Sequence, residues 1–272
     1  MLLRYDWLLI HIQSDGKLIC LLVTEEVEKD KAMSNGQTTD HKKVAEFYDN
    51  VYYKDAESQA CNKPARHLAR LAERIGVKAG NHVLDIACGT GNWLQVVAQN
   101  NGIPSGIDIS NEAIRVCRKR LKNGIFEVGV AEKLPFTDNS FDIVTCLGSL
   151  EHFLDQAAAL REMVRVAKHD AQVVILVPNS GFLTHRLGLY NGTQQVAVRE
   201  TLRTIDEWQQ MFTAQGLEIE RRWKDLHVLN SSWINRPPYY LSPLRFLQAI
   251  ALFVWPLQWQ YQIYHHCRVK KG

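Results

Sequence analysis

The chain has 272 residues, of which 46% are hydrophobic and 22% charged, and its length fits one α/β domain with additions. Its net charge of +3 is small and evenly spread, which argues against nucleic acid as a partner. Its cysteines lie far apart and form no CxxC pair, which argues against a zinc site or a disulfide framework and favours a reduced, cytoplasmic protein. They are Cys20, Cys61, Cys88, Cys117, Cys146 and Cys267.

Residues 1–40 are predicted to be a poorly ordered N-terminal extension of the domain formed by residues 41–272. Two apolar runs, Leu2–Ile10 and Leu18–Val23, fall short of the roughly 18 apolar residues of a membrane span. No small-residue cleavage site follows a basic start, so a signal peptide is not expected. The pattern leaves two alternatives, an upstream extension or a poorly packed hairpin.

Apolar residues between His41 and Ile75 recur at helical spacings, which predicts N-terminal helices that cover one end of a cofactor site. The segment His82–Trp93 then begins as an apolar strand, continues into a glycine turn and opens an amphipathic helix. Such a segment is the part of an α/β fold that receives an adenosine-containing cofactor. Cys88 and Cys146 fall at predicted strand ends, where buried small thiols are expected.

Strands then alternate with helices, which is typical of a doubly wound parallel sheet. Asp108 follows Asp85 by 23 residues, close to the spacing of about 20 at which an acidic residue meets ribose hydroxyls. Ser110 is predicted to cap the next helix. The predicted strands are Ile103–Ile109, Ile125–Val130, Phe141–Leu147 and Val173–Val177, and the predicted helices are Asn111–Lys122 and Leu154–Ala167.

The C-terminal part begins with an irregular segment, residues 180–200. Thr204 and Glu207 have the spacing of a capping box, and residues 217–221 alternate as a strand. A helix over residues 243–256 is apolar around most of its circumference and too short to span a bilayer. We expect it to be buried and to lead into a last strand, Tyr261–Val269. The alternative is weak contact with a membrane surface.

The glycine turn discriminates between cofactors. A dehydrogenase fingerprint would place a third glycine where Leu94 stands. The spacing acidic-x-small-x-Gly-x-Gly is met instead by Asp85, Ala87, Gly89 and Gly91. This spacing resembles motif I of the class I S-adenosylmethionine (SAM) methyltransferases, with Ala87 in place of the usual first glycine.

The resemblance covers roughly residues 44–225. It continues through VAEKLPFTDNSFDIV (130–144) and LREMVRVAKHDAQVVILVPN (160–179). It implies a Rossmann-like α/β fold with a seven-stranded, mostly parallel sheet, N-terminal helices and a C-terminal helical addition. The cofactor implied is SAM, held by Asp85, Ala87, Cys88, Gly89, Gly91, Asp108, Ile109, Ala131, Glu132 and Leu147.

His152 is the candidate catalytic residue. It lies five residues past Leu147, where acceptors bind in this fold, and a neutral imidazole can take a proton from a hydroxyl group. The alternative is a structural role for Glu151 and His152. The sequence also resembles quinone O-methyltransferases that bind a metal here through an additional glutamate. Gly148 stands at that glutamate's position, so no metal site is predicted.

The acceptor is expected to be small and fairly apolar or lipid-like, because aromatic residues are frequent in the insertion around residues 180–200 and in the C-terminal part. We predict O-methylation; the alternatives are C- or N-methylation of a small metabolite, or a catalytically silent SAM-fold protein that binds a partner or a membrane. The motif of nucleic-acid N-methylation is replaced by LGSL at residues 147–150. The candidate acceptor residues are Tyr48, His185, Arg186, Tyr190 and Trp208.

Overall fold

The computed structural model describes residues 9–12, 18–21, 40–60, 65–186, 200–226, 234–235 and 237–270. Near the N-terminus, β1 (Leu9–Ile12) pairs antiparallel with β2 (Leu18–Leu21). The two apolar runs therefore contribute the strands of a small hairpin. The domain boundary at residue 40 stays a prediction.

In the described part of the chain, the main sheet contains seven strands. They are β3 (His82–Ile86), β4 (Ile103–Asp108), β5 (Ile125–Val128), β6 (Phe141–Leu147), β7 (Ala167–Pro178), β8 (Leu217–Lys224) and β9 (Gln262–Val269). Their order is β5-β4-β3-β6-β7-β9-β8, and β9 alone among them runs antiparallel to its neighbours. The predicted seven-stranded, mostly parallel sheet is confirmed. Its strand order reverses beside β3, which opens a crevice at the C-terminal edge of the sheet.

Helices pack on both faces of this sheet. The described helices are α1 (His41–Phe47), α2 (Ala56–Gln59), α3 (Arg66–Ile75), α4 (Asn92–Gln99), α5 (Asn111–Arg120), α6 (Gln156–Val166), α7 (Leu183–Arg186), α8 (Ile205–Ala214) and α9 (Ser242–Val254). One core cluster joins the sheet to α6 and α8, and a second joins it to α3, α4 and α5. Val83 and Leu84 belong to different clusters because successive strand residues point to opposite faces.

Capping side chains set several helix ends as the sequence predicts. The Ser110 hydroxyl accepts from the Ala113 N–H at 3.1 Å, and Thr204 and Glu207 form the expected capping box. The helix predicted from Leu154 begins instead at Gln156, because the Asp155 carboxylate accepts from the Ala158 N–H at 2.8 Å.

The expected burial of the C-terminal helix is wrong. Within α9, Arg245 and Ala249 are the buried residues, while a broad apolar face is exposed. The exposed apolar residues of α9 and of the turn before it are Tyr239, Tyr240, Leu244, Phe246, Leu247, Ile250, Phe253 and Val254. We call this set the α9 face. None of the described helices is long and apolar enough to cross a membrane.

The α9 face lies near the edge of the sheet where parallel strands end. Gln262, the first residue of β9, pairs with Pro178, the last residue of β7, and the Asn179 amide donates to the Gln258 and Gln260 carbonyls at 2.8 and 3.0 Å. The connection from β8 to β9, which contains α9, therefore leaves and re-enters the sheet at the C-terminal end of β7.

Candidate functional site

A cavity opens at the C-terminal edge of the sheet, between the N-terminal helices and the loops that follow β3, β4, β5 and β6. Aromatic and aliphatic side chains form most of its wall, with two carboxylates and two histidines among them. Its lining residues are His41, Val44, Tyr48, Tyr52, Tyr53, Ile86, Ala87, Ile107, Asp108, Ile109, Gly129, Val130, Ala131, Glu132, Ser149, His152, Phe153 and Leu154. The cavity thus lies where parallel α/β sheets bind their ligands.

Asp108 holds two loops at the floor of this cavity. Its Oδ2 accepts from the Gly89 N–H at 2.8 Å and its Oδ1 accepts from the Ser110 N–H at 3.0 Å. Burial raises the pKa of Asp108 to about 6, and these two donors oppose the rise. The carboxylate is therefore ionised at neutral pH, and its remaining lone pairs can accept from a ligand's hydroxyl groups.

The glycine turn is closely packed. Gly89 and Gly91 have φ values of +53° and +77°, in the left-handed region that side chains disfavour. A Cβ at Gly89 would lie 2.7 Å from the Tyr53 hydroxyl oxygen, and one at Gly91 would lie 2.6 Å from Cys117 Sγ. Only glycine allows the turn to lie this close to Tyr53 and to α5.

Ala87 is strained, because its φ of +57° is also left-handed. A left-handed backbone costs an L-residue about 1–2 kcal/mol, and glycine is free of this cost but loses about 0.5–1 kcal/mol more chain entropy on folding. The strain is located at the end of β3, in the cavity wall. The left-handed conformation therefore explains why the resemblance would place a glycine at this position.

Ala87→Gly should raise the free energy of unfolding by about 0.5–1 kcal/mol, the difference between the strain relieved and the entropy lost. Urea denaturation measures it, and Ala98→Gly, in the regular helix α4, is the matched control and should destabilise. A destabilised Ala87→Gly protein would contradict the assignment of strain to this residue.

Asp85 is buried next to the glycine turn and does not line the cavity. Its Oδ1 accepts from the Thr145 hydroxyl at 2.6 Å, and burial raises its pKa to about 7. Thr145 lies opposite it on β6, so the two side chains fasten the ends of the central strands together. A direct contact between Asp85 and the cofactor stays a prediction.

Glu132 organises the opposite wall. Its Oε1 accepts from the Leu154 and Asp155 N–H groups at 3.0 and 3.2 Å, and His41 Nε2 lies 3.4 Å from the same oxygen. The side chain thereby connects the loop after β5 to the loop before α6 and to α1. These contacts with protein groups give Glu132 a structural role beside the site that does not require a ligand.

Three tyrosines from the π-helical turn Tyr48–Tyr52 and the residue after it close the cavity. Their rings meet edge to face, with Tyr48–Tyr52 and Tyr52–Tyr53 centroids 5.5 and 4.8 Å apart. Burial raises the pKa of all three, that of Tyr52 to about 12, so they remain neutral hydrogen-bonding groups. Sequence reasoning found Tyr48 but missed Tyr52 and Tyr53; the closely spaced tyrosines were the available signal.

The remaining cofactor candidates divide into two groups. Ile109 and Ala131 line the cavity, as predicted, whereas Cys88 is buried beneath the turn and Leu147 packs at the end of β6. Cys88 and Cys146 are both buried free thiols, as expected. Cys61 lies outside the described residues, and for Cys20, which belongs to β2, the structure describes the strand only.

Of the predicted acceptor residues that the structure describes, only Tyr48 lines the cavity. Trp208 is fully buried in the core, where its Nε1 donates to the Pro178 carbonyl at 2.7 Å and its ring stacks on Phe212. Trp208 is therefore structural, and its selection as an acceptor residue was wrong. His185 and Arg186 are exposed on α7 and do not line the described cavity. Tyr190 lies outside the described residues.

His152 lines the cavity from the 3-10 turn Leu150–His152 that follows β6. The distance from any acceptor, and so the base role, stays a prediction. Among the described residues, no group of three or more His, Cys, Asp or Glu side chains is placed to hold a metal ion.

Two features of the cavity are compatible with SAM. Asp108 offers an ionised carboxylate at the end of β4, and Ile109, Ala131 and Leu154 provide apolar lining beside Glu132. A carboxylate suits the ribose hydroxyl groups of SAM, and an apolar wall suits its flat adenine base.

Comparisons with known proteins agree with this geometry. Residues 84–175 match the family model described as "Methyltransferase domain". The chain is 33% identical over 170 residues to the uncharacterised methyltransferase YcgJ of Bacillus subtilis (strain 168), covering 58% of this chain and 66% of that protein. It is 38% identical over 113 residues to a demethylmenaquinone methyltransferase of Staphylococcus aureus (strain MRSA252), covering 39% and 47%. The chain thus spans about two thirds of the first relative and about half of the second.

A solved structure supports the fold. The magnesium protoporphyrin IX methyltransferase of Synechocystis PCC 6803, solved with bound S-adenosylhomocysteine (SAH), superposes with a TM-score of 0.58 at 14% identity, covering 85% of this chain and 100% of that one. Such an identity speaks for the fold alone. With the family match over residues 84–175 and the glycine turn and Asp108 in their expected places, this chain belongs to the class I SAM-dependent methyltransferases.

Proposed function

We propose that this protein transfers the methyl group of SAM to a hydroxyl oxygen of a small, lipid-like acceptor. The observation that carries the proposal is the α9 face, which lies near the same sheet edge as the cavity. Aromatic and aliphatic cavity walls support it, because they favour an apolar acceptor over a charged one.

The α9 face is suited to a lipid interface. Arg245 is the one charged residue in the sequence from 237 to 260, and it is buried and donates to the Pro237 carbonyl at 3.3 Å. Tyr239 and Tyr240 lie at one end of α9 and Trp255 at the other, and such amphipathic rings favour the headgroup region. A protein held there would meet its acceptor where the acceptor partitions.

The positions of the side chains support the following roles in this proposal. Bound SAM supplies an electrophilic methyl group on a sulfonium. Asp108 and the glycine turn orient the donor, and the three tyrosines exclude water. His152 would take the proton of the acceptor hydroxyl, and bound SAM would supply the methyl group that the hydroxyl oxygen receives, leaving SAH.

The α9 face should bind the protein to vesicles. In flotation with phosphatidylcholine–phosphatidylglycerol vesicles we expect the intact protein to co-float, and the Phe246→Ser/Phe253→Ser variant to lose at least about tenfold in partitioning. Each phenylalanine contributes up to about 1.5–3 kcal/mol on burial. Ile125→Ser/Val128→Ser, which replaces exposed apolar residues of the edge strand β5, is the matched control and should co-float.

Equal flotation of both variants, or none by the unmodified protein, would contradict the membrane proposal. Methyl transfer is tested separately by SAH release with amphiphilic phenols and hydroquinones. Mass spectrometry of the product distinguishes O-methylation from C-methylation, which the name of the demethylmenaquinone relative brings into consideration. If SAM binds but none of these acceptors yields SAH, the result would favour a catalytically silent SAM-binding protein.

A further inference from the structure

One segment of the chain connects the regions that follow β3, β4 and β5, where the cavity opens. We call residues 41–60 the tyrosine segment, because it carries the three tyrosines of the cavity wall. Near its beginning, His41 Nε2 lies 3.4 Å from Glu132 Oε1, in the loop after β5. At its end, the Gln59 carbonyl accepts from Asn92 Nδ2 at 3.1 Å, and Asn92 begins α4 directly after the glycine turn.

Asp49 attaches the middle of the tyrosine segment to the N-terminus of α5, after β4. Its Oδ1 accepts from the Ser110 hydroxyl at 2.5 Å and from the Glu112 N–H at 3.2 Å, and its Oδ2 accepts from the Asn111 amide at 3.2 Å. A carboxylate is favourable at this end of a helix, where backbone N–H groups lack helical partners. Because the Ser110 N–H donates to Asp108, the segment is attached beside a carboxylate that lines the cavity.

The apolar packing beneath the tyrosine segment is small. Tyr53 and Ala56 form a core cluster with Ala113 and Val116 of α5, and this cluster is separate from the two larger clusters that join the helices to the sheet. Segments with few buried apolar contacts open at a lower free energy than the core of a protein. Polar attachments such as that of Asp49 are therefore important for keeping the segment on the cavity.

The tyrosine segment covers the glycine turn. An ideal Cβ on Gly89 would lie 2.7 Å from the Tyr53 hydroxyl oxygen, and Tyr48 and Tyr52 line the same cavity. We propose that Asp49 is a positioning residue for SAM: it holds the tyrosine segment on α5, and the segment retains the cofactor by covering the cavity. This role requires that SAM binds in the cavity and is independent of the acceptor.

Calorimetric titration with SAH tests the role of Asp49. We expect Asp49→Ala to bind SAH at least about tenfold more weakly than the unmodified protein, because losing hydrogen bonds to a charged group shifts the segment away from the cavity. Asp49→Asn keeps an oxygen that can accept from Ser110 and Glu112, so its affinity should stay within about threefold. Glu57→Ala is the matched control, because the ion pairs of Glu57 with α5 are exposed, and it should bind SAH normally.

Hydrogen–deuterium exchange, measured by mass spectrometry, follows the tyrosine segment itself. In the unmodified protein, SAH should slow the exchange of residues 41–60. Without SAH, these residues should exchange at least about tenfold faster in Asp49→Ala than in the unmodified protein. The helix α6 is the internal reference for an intact fold, because it packs in the core cluster with α8 and should exchange equally in both proteins.

Several results would overturn the role of Asp49. They are equal SAH affinity of Asp49→Ala and the unmodified protein, equal losses of affinity in Asp49→Ala, Asp49→Asn and Glu57→Ala, and exchange of residues 41–60 that neither SAH nor Asp49→Ala changes. An unmodified protein that does not bind SAH would also overturn the assignment of the cavity to SAM. Neither measurement contains an acceptor, so a failure of the proposed O-methylation is detected separately, by SAH release.

Discussion

Asp108→Ala should weaken SAM and SAH binding by at least about 100-fold. The carboxylate fastens Gly89 and Ser110 through their backbone N–H groups and offers further lone pairs to ribose hydroxyls, so the variant loses the ligand contacts and loosens the turn together. Hydrogen bonds to a charged group contribute about 1.5–3 kcal/mol each, and about 2.7 kcal/mol corresponds to the expected factor. Isothermal titration calorimetry measures it.

Two further variants make this result specific. Asp108→Asn keeps the shape and one accepting oxygen, so we expect an affinity between those of the unmodified protein and Asp108→Ala. Glu218→Ala removes an exposed carboxylate from β8 and should bind SAM normally. If Asp108→Ala is folded by circular dichroism and binds SAM as tightly as the unmodified protein, the assignment of this cavity to SAM is wrong.

His152→Ala should lower kcat by about 100-fold or more while leaving the Kd for SAM within about threefold. General base catalysis contributes typically about 10²–10⁴-fold, and we assign SAM binding to Asp108, which holds the glycine turn, rather than to His152. The measurement is SAH release across pH 6–9 with an acceptor identified by the screen. The turnover of the variant should stay low throughout this range.

His169→Ala is the control for this variant, because His169 is exposed on β7 at the far end of the strand from the cavity. Its turnover and pH profile should match those of the unmodified enzyme. Nearly full turnover by His152→Ala throughout pH 6–9 would exclude His152 as the base and leave it the structural role that the sequence also allowed.

Local sequence patterns predicted the sheet because each pattern has a local physical cause. Alternating apolar strands and amphipathic helices specify a doubly wound sheet. Ser110 and Thr204 cap the N-termini of their helices through hydrogen bonds that span only three residues. The helix predicted from Leu154 begins two residues later, because Asp155 is the better cap.

Contacts between distant residues were beyond such patterns. The sequence allows Trp208 to be a pocket aromatic or a core aromatic, and only the packing of α8 against β7 shows that it belongs to the core. The sequence predicts that α9 is buried because the helix is apolar on most sides, yet in the described part of the chain only Arg245 and Ala249 of this helix are buried. Tyr52 and Tyr53 joined the site through a π-helical turn that helical periodicity does not predict.

The sequence by itself determined the family, the cofactor expectation and the location of the glycine turn, because motif I and the two downstream runs are local in the chain. Only the tertiary structure brought Asp108 to the Gly89 N–H, revealed the left-handed strain at Ala87 and left Glu151 buried with an unused oxygen. These properties depend on which strands become neighbours and on what covers them. Burial and hydrogen-bond pairing are set by the whole fold, so no stretch of sequence carries them alone.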